Sequence, residues 1–171
     1  MLIFSGKMKI GKTFNYYKKK GGITMLHFKK ILVPYDGSDH AKKALKEAVS
    51  IAETCEDAKL FIATVVYPVP STVVIAEEHA FVFDAERNTE SMKIKETTQK
   101  EIRELLPPDI PHEILFNIGN PGSVLLSLAK EHDCDLIVMG SRGRNALKSL
   151  LLGSVSAHLV SNAHCPVLVI K

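Results

Sequence analysis

The stretch Leu60-Phe61-Ile62-Ala63-Thr64-Val65-Val66 is apolar or β-branched at every position. A half-buried strand alternates polar and apolar residues. This run does not, so it reads as a strand buried on both faces. Strands of that kind belong to parallel sheets whose two faces are covered by crossover helices. Similar short runs recur along the chain. Ile31-Leu32-Val33-Pro34 stops at the turn signal Asp36-Gly37-Ser38. Glu113 to Ile118 is closed by Gly119-Asn120-Pro121-Gly122. Leu136-Ile137-Val138-Met139 ends at Gly140, and Val167-Leu168-Val169-Ile170 comes last.

Helical patterns separate these runs. Ala41, Ala44, Leu45, Ala48, Ile51 and Ala52 recur at helical spacing, with Lys42, Lys43, Lys46 and Glu47 between them. A charged stretch from about Asp84 to Leu106 is expected to form a solvent-exposed helix ending before Pro107-Pro108. Further helices are expected through Val124, Leu125, Leu128 and Ala129, and from about Ser154 to Ser161. Residues 67–83 read as irregular. The pattern gives an α/β fold: a doubly wound, Rossmann-like sheet of five parallel strands in three α/β/α layers. Sheets of this kind bind ligands beyond the carboxyl ends of their strands, where the strand order reverses.

The first 24 residues differ. They are rich in Lys, Gly and Tyr and show no sustained period. The expected organisation is an N-terminal extension over 1–24, disordered or the product of an upstream start codon, and one domain over 25–171. The net charge is only +3, and Lys7, Lys9, Lys12, Lys18, Lys19 and Lys20 all lie in the extension. The domain itself carries no basic footprint for nucleic acid. Cys55, Cys134 and Cys165 are odd in number and lack metal-ligand spacing. With no apolar run long enough to span a membrane, a reducing cytoplasm is the expected compartment.

The segment Gly140-Ser141-Arg142-Gly143-Arg144, continuing to Gly153-Ser154-Val155-Ser156, directly follows a strand and runs into a helix start. Glycines let main chain approach a ligand closely. The first amides of a helix are unpaired and carry the positive end of its dipole, which suits an anion. Ser154 and Ser156 add hydroxyl donors, and Arg142 and Arg144 add charge. The same residues serve equally well as a plain turn and a helix N-cap.

The spacing of Gly140, Gly143 and Gly153-Ser154 matches the ATP-binding pattern of the universal stress protein family. Asp135-Leu-Ile-Val-Met-Gly-Ser-Arg-Gly, Cys165-Pro-Val-Leu-Val and Ile31-Leu-Val-Pro-Tyr-Asp-Gly-Ser resemble that family too. The likeness spans about residues 28–171 and is weakest from 68 to 110. It implies that Pro34, Tyr35 and Asp36 line an adenosine pocket and that Val65 meets the adenine through its backbone. Met139 and Gly140 would lie under the ribose. Arg142, Gly143, Gly153, Ser154 and Val155 would hold the triphosphate, with Arg144 and Ser156 beside them. The resemblance further implies ATP as ligand, with Mg²⁺ or Mn²⁺ on its phosphates rather than on protein ligands, and a homodimer through Val167–Ile170.

One motif competes. Gly6-Lys7-Met8-Lys9-Ile10-Gly11-Lys12-Thr13 fits the P-loop pattern. A P-loop needs a buried strand before it and a helix after it, and neither is legible there. The histidines have no metal-ligand spacing, no nucleophile elbow occurs, and Glu86, Glu90, Glu96, Glu101 and Glu104 read mainly as a solvated helix face. The expected function is an ATP-binding stress-response regulator, acting as a nucleotide-dependent switch or chaperone-like partner for another protein. A slow or partner-dependent ATPase is the first alternative, and a nucleotide-free dimeric module the second. Nothing resembling a base that could orient an attacking water supports fast hydrolysis.

Overall fold

The structure, a computed structural model, describes residues 3–5, 17–20, 23–68, 73–76, 79–82, 85–144 and 151–171. In chain order the strands are β1 (Ile3–Ser5), β2 (Tyr17–Lys20), β3 (Ile23–Leu26), β4 (Lys30–Pro34), β5 (Lys59–Val66), β6 (Val73–Ala76), β7 (His79–Val82), β8 (His112–Ile118), β9 (Leu136–Gly140) and β10 (Val167–Ile170). The helices are α1 (Asp39–Thr54), α2 (Ala85–Leu105), α3 (Pro121–Glu131) and α4 (Ser154–Asn162).

Five strands form the expected parallel sheet, in the order β10-β9-β4-β5-β8. The chain runs outward from β4 through β5 to β8, then crosses back to β9 and continues to β10. The order therefore reverses between β4 and β9, and a crevice opens beyond their carboxyl ends.

Alternate residues of each strand feed two cores. Ile31, Val33, Leu60, Ile62, Leu136 and Val138 meet Ala41, Ala44, Leu45 and Ala48 of α1 and Ile102 of α2. On the opposite face Leu32, Phe61, Ala63, Ile137, Met139 and Val167 meet Leu125, Leu128 and Ala129 of α3 and Leu159 of α4. This is the physical meaning of the unbroken apolar run in β5: both of its faces are covered, and Leu60 and Ile62 are fully buried. The carboxylate of Asp135 ties the sheet at its other end, accepting from the amides of Lys29 (2.8 Å) and Lys30 (3.1 Å).

Three features depart from the sequence reading. Part of the stretch read as irregular forms an antiparallel hairpin, β6 with β7. In the N-terminal extension, β2 pairs antiparallel with β3, which crosses the expected boundary after residue 24. Most consequential, β10 is not the sheet's edge. The backbone of β1 lies antiparallel along it, Ile3 opposite Val169 and Ser5 opposite Val167. Neither end of the extension carries a periodic pattern. β1 forms because the edge of β10 offers unpaired N–H and C=O groups to an extended segment within reach, whereas β2 and β3 satisfy each other in a separate two-stranded sheet. The P-loop-like stretch Gly6–Thr13 lies outside the described residues. Among the described residues, no helix is long and apolar enough to cross a membrane.

Candidate functional site

The β4–α1 turn forms one wall of the crevice. Gly37 takes a left-handed conformation (φ 77°) that lets the chain turn sharply after Asp36. Ser38 then caps α1, its hydroxyl accepting from the Ala41 amide at 3.2 Å. The Asp36 carboxylate points across the crevice. One oxygen accepts from the Ser38 amide (3.0 Å), and the other accepts from the Arg144 amide (3.0 Å). Asp36 thus joins loops 108 residues apart in the chain.

The opposite wall is the loop after β9, and Ser141 is its knot. This residue is fully buried. Its amide donates to Ile170 O (2.7 Å), its carbonyl accepts from the Gly153 amide (2.8 Å), and its hydroxyl meets His40 Nδ1 at 3.1 Å. Ser156 reinforces it: its hydroxyl lies 3.1 Å from Gly140 O and 3.0 Å from Ser141 O. The hydroxyl that the sequence offered to phosphate is instead a brace inside the loop.

The three loop glycines have different physical reasons. A β-carbon on Gly140 would stand 2.8 Å from the backbone carbon of His40, so this glycine lets the first turn of α1 pack onto β9. On Gly143 it would stand 2.6 Å from Asp36 Oδ2, so this glycine admits the carboxylate. On Gly153 it would meet nothing closer than 3.6 Å. The backbone there is extended (φ −74°, ψ 165°), a conformation open to any residue. Neither packing nor conformation within the described protein requires glycine at 153.

Gly153 is also the N-cap of α4 and, having no side chain, makes no capping hydrogen bond. Among the described residues, no protein acceptor takes the amides of Ser154, Val155 or Ser156. Three unclaimed donors at a helix start, beside a position with no side chain, make a hollow suited to an anion.

The remaining expected residues sort by what their side chains do. Pro34 ends β4 opposite Ala63 of β5. The Tyr35 ring is buried against α1 and α2, so only its backbone faces the crevice; its carbonyl accepts from Thr64 Oγ1 at 2.9 Å. The Tyr35 hydroxyl donates to Glu101 Oε2 at 3.2 Å, and burial, reinforced by Glu101's negative charge, holds its proton far more tightly than in a free tyrosine. Met139 is core, packed on the α3–α4 side, and Val65 is half-buried on the same side. Arg142 is half-buried and Arg144 exposed on the loop. Residues 145–150, which complete that loop, lie outside the described residues.

Sequence reasoning missed Ser141, His40 and Glu101. Ser141 and His40 could have been suspected only from their places directly after β9 and in the first turn of α1. Glu101 gave no signal, because it looks like its exposed helical neighbours.

Comparison with known proteins identifies the family and agrees with the fold. Residues 27–171 match the model of the universal stress protein family. A universal stress protein of Methanocaldococcus jannaschii is 36% identical over 144 residues, 84% of this chain and 82% of the relative. Among solved structures, the universal stress protein UspA of Lactobacillus plantarum superposes with a TM-score of 0.65 at 27% identity, over 85% of this chain and 99% of that one. A universal stress protein solved in complex with cAMP gives a TM-score of 0.59 at 26% identity, over 85% of this chain and 98% of that one. The chain belongs to the universal stress protein family.

Proposed function

We propose that this chain binds ATP in the crevice between β4 and β9, and that occupancy switches its contacts with a protein partner during stress, in the manner of a regulator or chaperone-like module in the cytoplasm. One observation carries the reading: nothing among the described residues requires a glycine at 153, which stands at the start of α4 with no side-chain cap of its own. The space left by its missing side chain and the adjacent amides fit a phosphate group. The relative in complex with cAMP supports an adenine nucleotide as the ligand. Asp36 and the backbone of Pro34 and Tyr35 stand where the nucleoside end would lie, with Arg142 and Arg144 toward the phosphates. Ser154 contributes its amide and hydroxyl, and Val155 its amide.

A divalent cation such as Mg²⁺ or Mn²⁺ would neutralise part of the phosphate charge. Asp36 is the carboxylate bridging the two walls, and both of its oxygens already accept from amides. On this reading the ion would travel on the phosphates rather than on protein ligands. The same engagement argues against Asp36 as the base of an ATPase, since a base must be free to accept a proton from water. Homodimerisation through Val167–Ile170 would require β1 to leave that edge, because a strand side accommodates one partner at a time.

The direct test is to denature the purified chain and identify any released nucleotide. Titrations of stripped protein with ATP, ADP, AMP and cAMP should accompany it. Saturable binding led by ATP supports the proposal. Absence of nucleotide in both experiments leaves the family fold without this role.

A further inference from the structure

Glu101 lies on α2, outside every segment expected to touch a nucleotide, yet its carboxylate reaches the crevice wall. Thr98 and Ile102 on the same helix are buried, which places Glu101 at the margin of the buried stripe. The Tyr35 hydroxyl fixes one of its oxygens at 3.2 Å. That same Oε2 stands 3.4 Å from the point a β-carbon on Gly37 would occupy. The guanidinium of Arg144 presses on the same point, with Nη2 and Cζ both against it. Gly37 is therefore the floor on which an arginine from the phosphate loop and a carboxylate from α2 converge. The Arg144 backbone is pinned separately, its amide donating to Asp36.

We propose that Glu101 is a specificity-determining residue: its charge, held near the same point over Gly37 as the Arg144 guanidinium without pairing with it, sets how strongly the site favours a long phosphate chain over a short one. This rests on the nucleotide-binding reading. Two electrostatic effects act in the same direction. A carboxylate beside Arg144 competes with phosphate for the same cation. Its own charge also repels a polyphosphate, more strongly as the number of phosphates rises. A bare nucleoside feels neither effect. Removing the charge while keeping the shape should therefore strengthen binding in proportion to ligand charge.

The test compares the parent chain with Glu101→Gln, Arg144→Gln and the double variant, titrating each with adenosine, AMP and ATP at low and physiological salt. Glu101→Gln should tighten ATP binding about three- to tenfold, AMP less, and adenosine not at all. The gain should shrink with salt and largely vanish when Arg144 is already glutamine. A general structural role for Glu101 would move all three ligands together. A nucleotide-independent arm follows the Arg144 Nε–H signal by NMR in the empty protein, where Glu101→Gln should shift it. An unmoved signal, or equal changes for adenosine and ATP, overturns the proposal. A shifted signal in a chain that binds no nucleotide overturns instead the functional reading beneath it.

Discussion

Replacing Gly153 with aspartate should push stability and ligand binding in opposite directions. Position 153 has the extended backbone that an N-cap residue needs, and a β-carbon there makes only ordinary contacts, the nearest at 3.6 Å. An introduced carboxylate could accept from the amides of the first α4 turn, which no acceptor takes among the described residues, and face the positive end of the helix dipole. Exchanging glycine for a good cap contributes a few tenths of a kcal/mol. The dipole adds about 0.3–1 kcal/mol, and the loss of a glycine from the unfolded chain about 0.4–1 kcal/mol. Allowing for imperfect additivity, Gly153→Asp should gain about 1 kcal/mol, raising Tm by about 2–4 °C in a chain of this size. The same carboxylate would occupy the hollow and repel phosphate, so ATP affinity should fall at least about tenfold, equivalent to about 1.4 kcal/mol. Thermal melts of the stripped protein and calorimetric titration with Mg·ATP read the two effects separately. A variant that is clearly less stable would show that glycine serves the fold. A variant that binds ATP as well as the parent would place the phosphates elsewhere.

Further outcomes test individual contacts and buried groups. Gly140→Ala should cost about 1–3 kcal/mol, because its β-carbon meets the backbone of α1 rather than a movable side chain; denaturant melts check this. Gly143→Ala should cost less in stability, since the obstructing atom is the Asp36 carboxylate, but it should loosen the Arg144 amide, visible as faster hydrogen exchange there. Burial pushes the Cys134 and Cys165 thiols up to about 12 each, with the field of Asp135 adding to both, so the folded protein should resist iodoacetamide at pH 8 and react on unfolding. Because these folded values lie above the ordinary thiol range, the unfolded chain loses its thiol protons first, and stability should fall as pH rises from about 9 toward 12. Finally, Phe4→Pro should weaken β1 and free β10, shifting sedimentation toward a dimer that pairs through Val167–Ile170.

The parallel sheet was legible because its information is local. β5 and β10 are continuous apolar runs, and α1 carries its alanines at helical spacing. The burial of both faces of these strands follows from the unbroken run, and the buried face of α1 from its helical spacing. What escaped was set by contacts across long stretches of chain. β1 pairs with residues more than 160 positions away, and its three residues have no pattern of their own. Glu101 resembles the rest of an exposed helix until the fold brings Tyr35 beneath it. The hydroxyl of Ser156 looks available in the sequence, but the return of α4 against β9 commits it to two carbonyls.

The glycines show why a motif and a mechanism are different kinds of knowledge. In the sequence, Gly140, Gly143 and Gly153 are three equal terms of one spacing. In the structure the first accommodates a helix, the second a carboxylate, and the third nothing that the described protein contains. A glycine explained by packing would persist in this fold whether or not a ligand ever bound. Only a glycine without such an explanation bears on ligand binding. Under the proposed nucleotide-binding reading, the functional weight of the motif would therefore fall on Gly153 and the amides beside it, while Gly140 and Gly143 would act earlier, by letting α1 and Asp36 pack against the loop after β9.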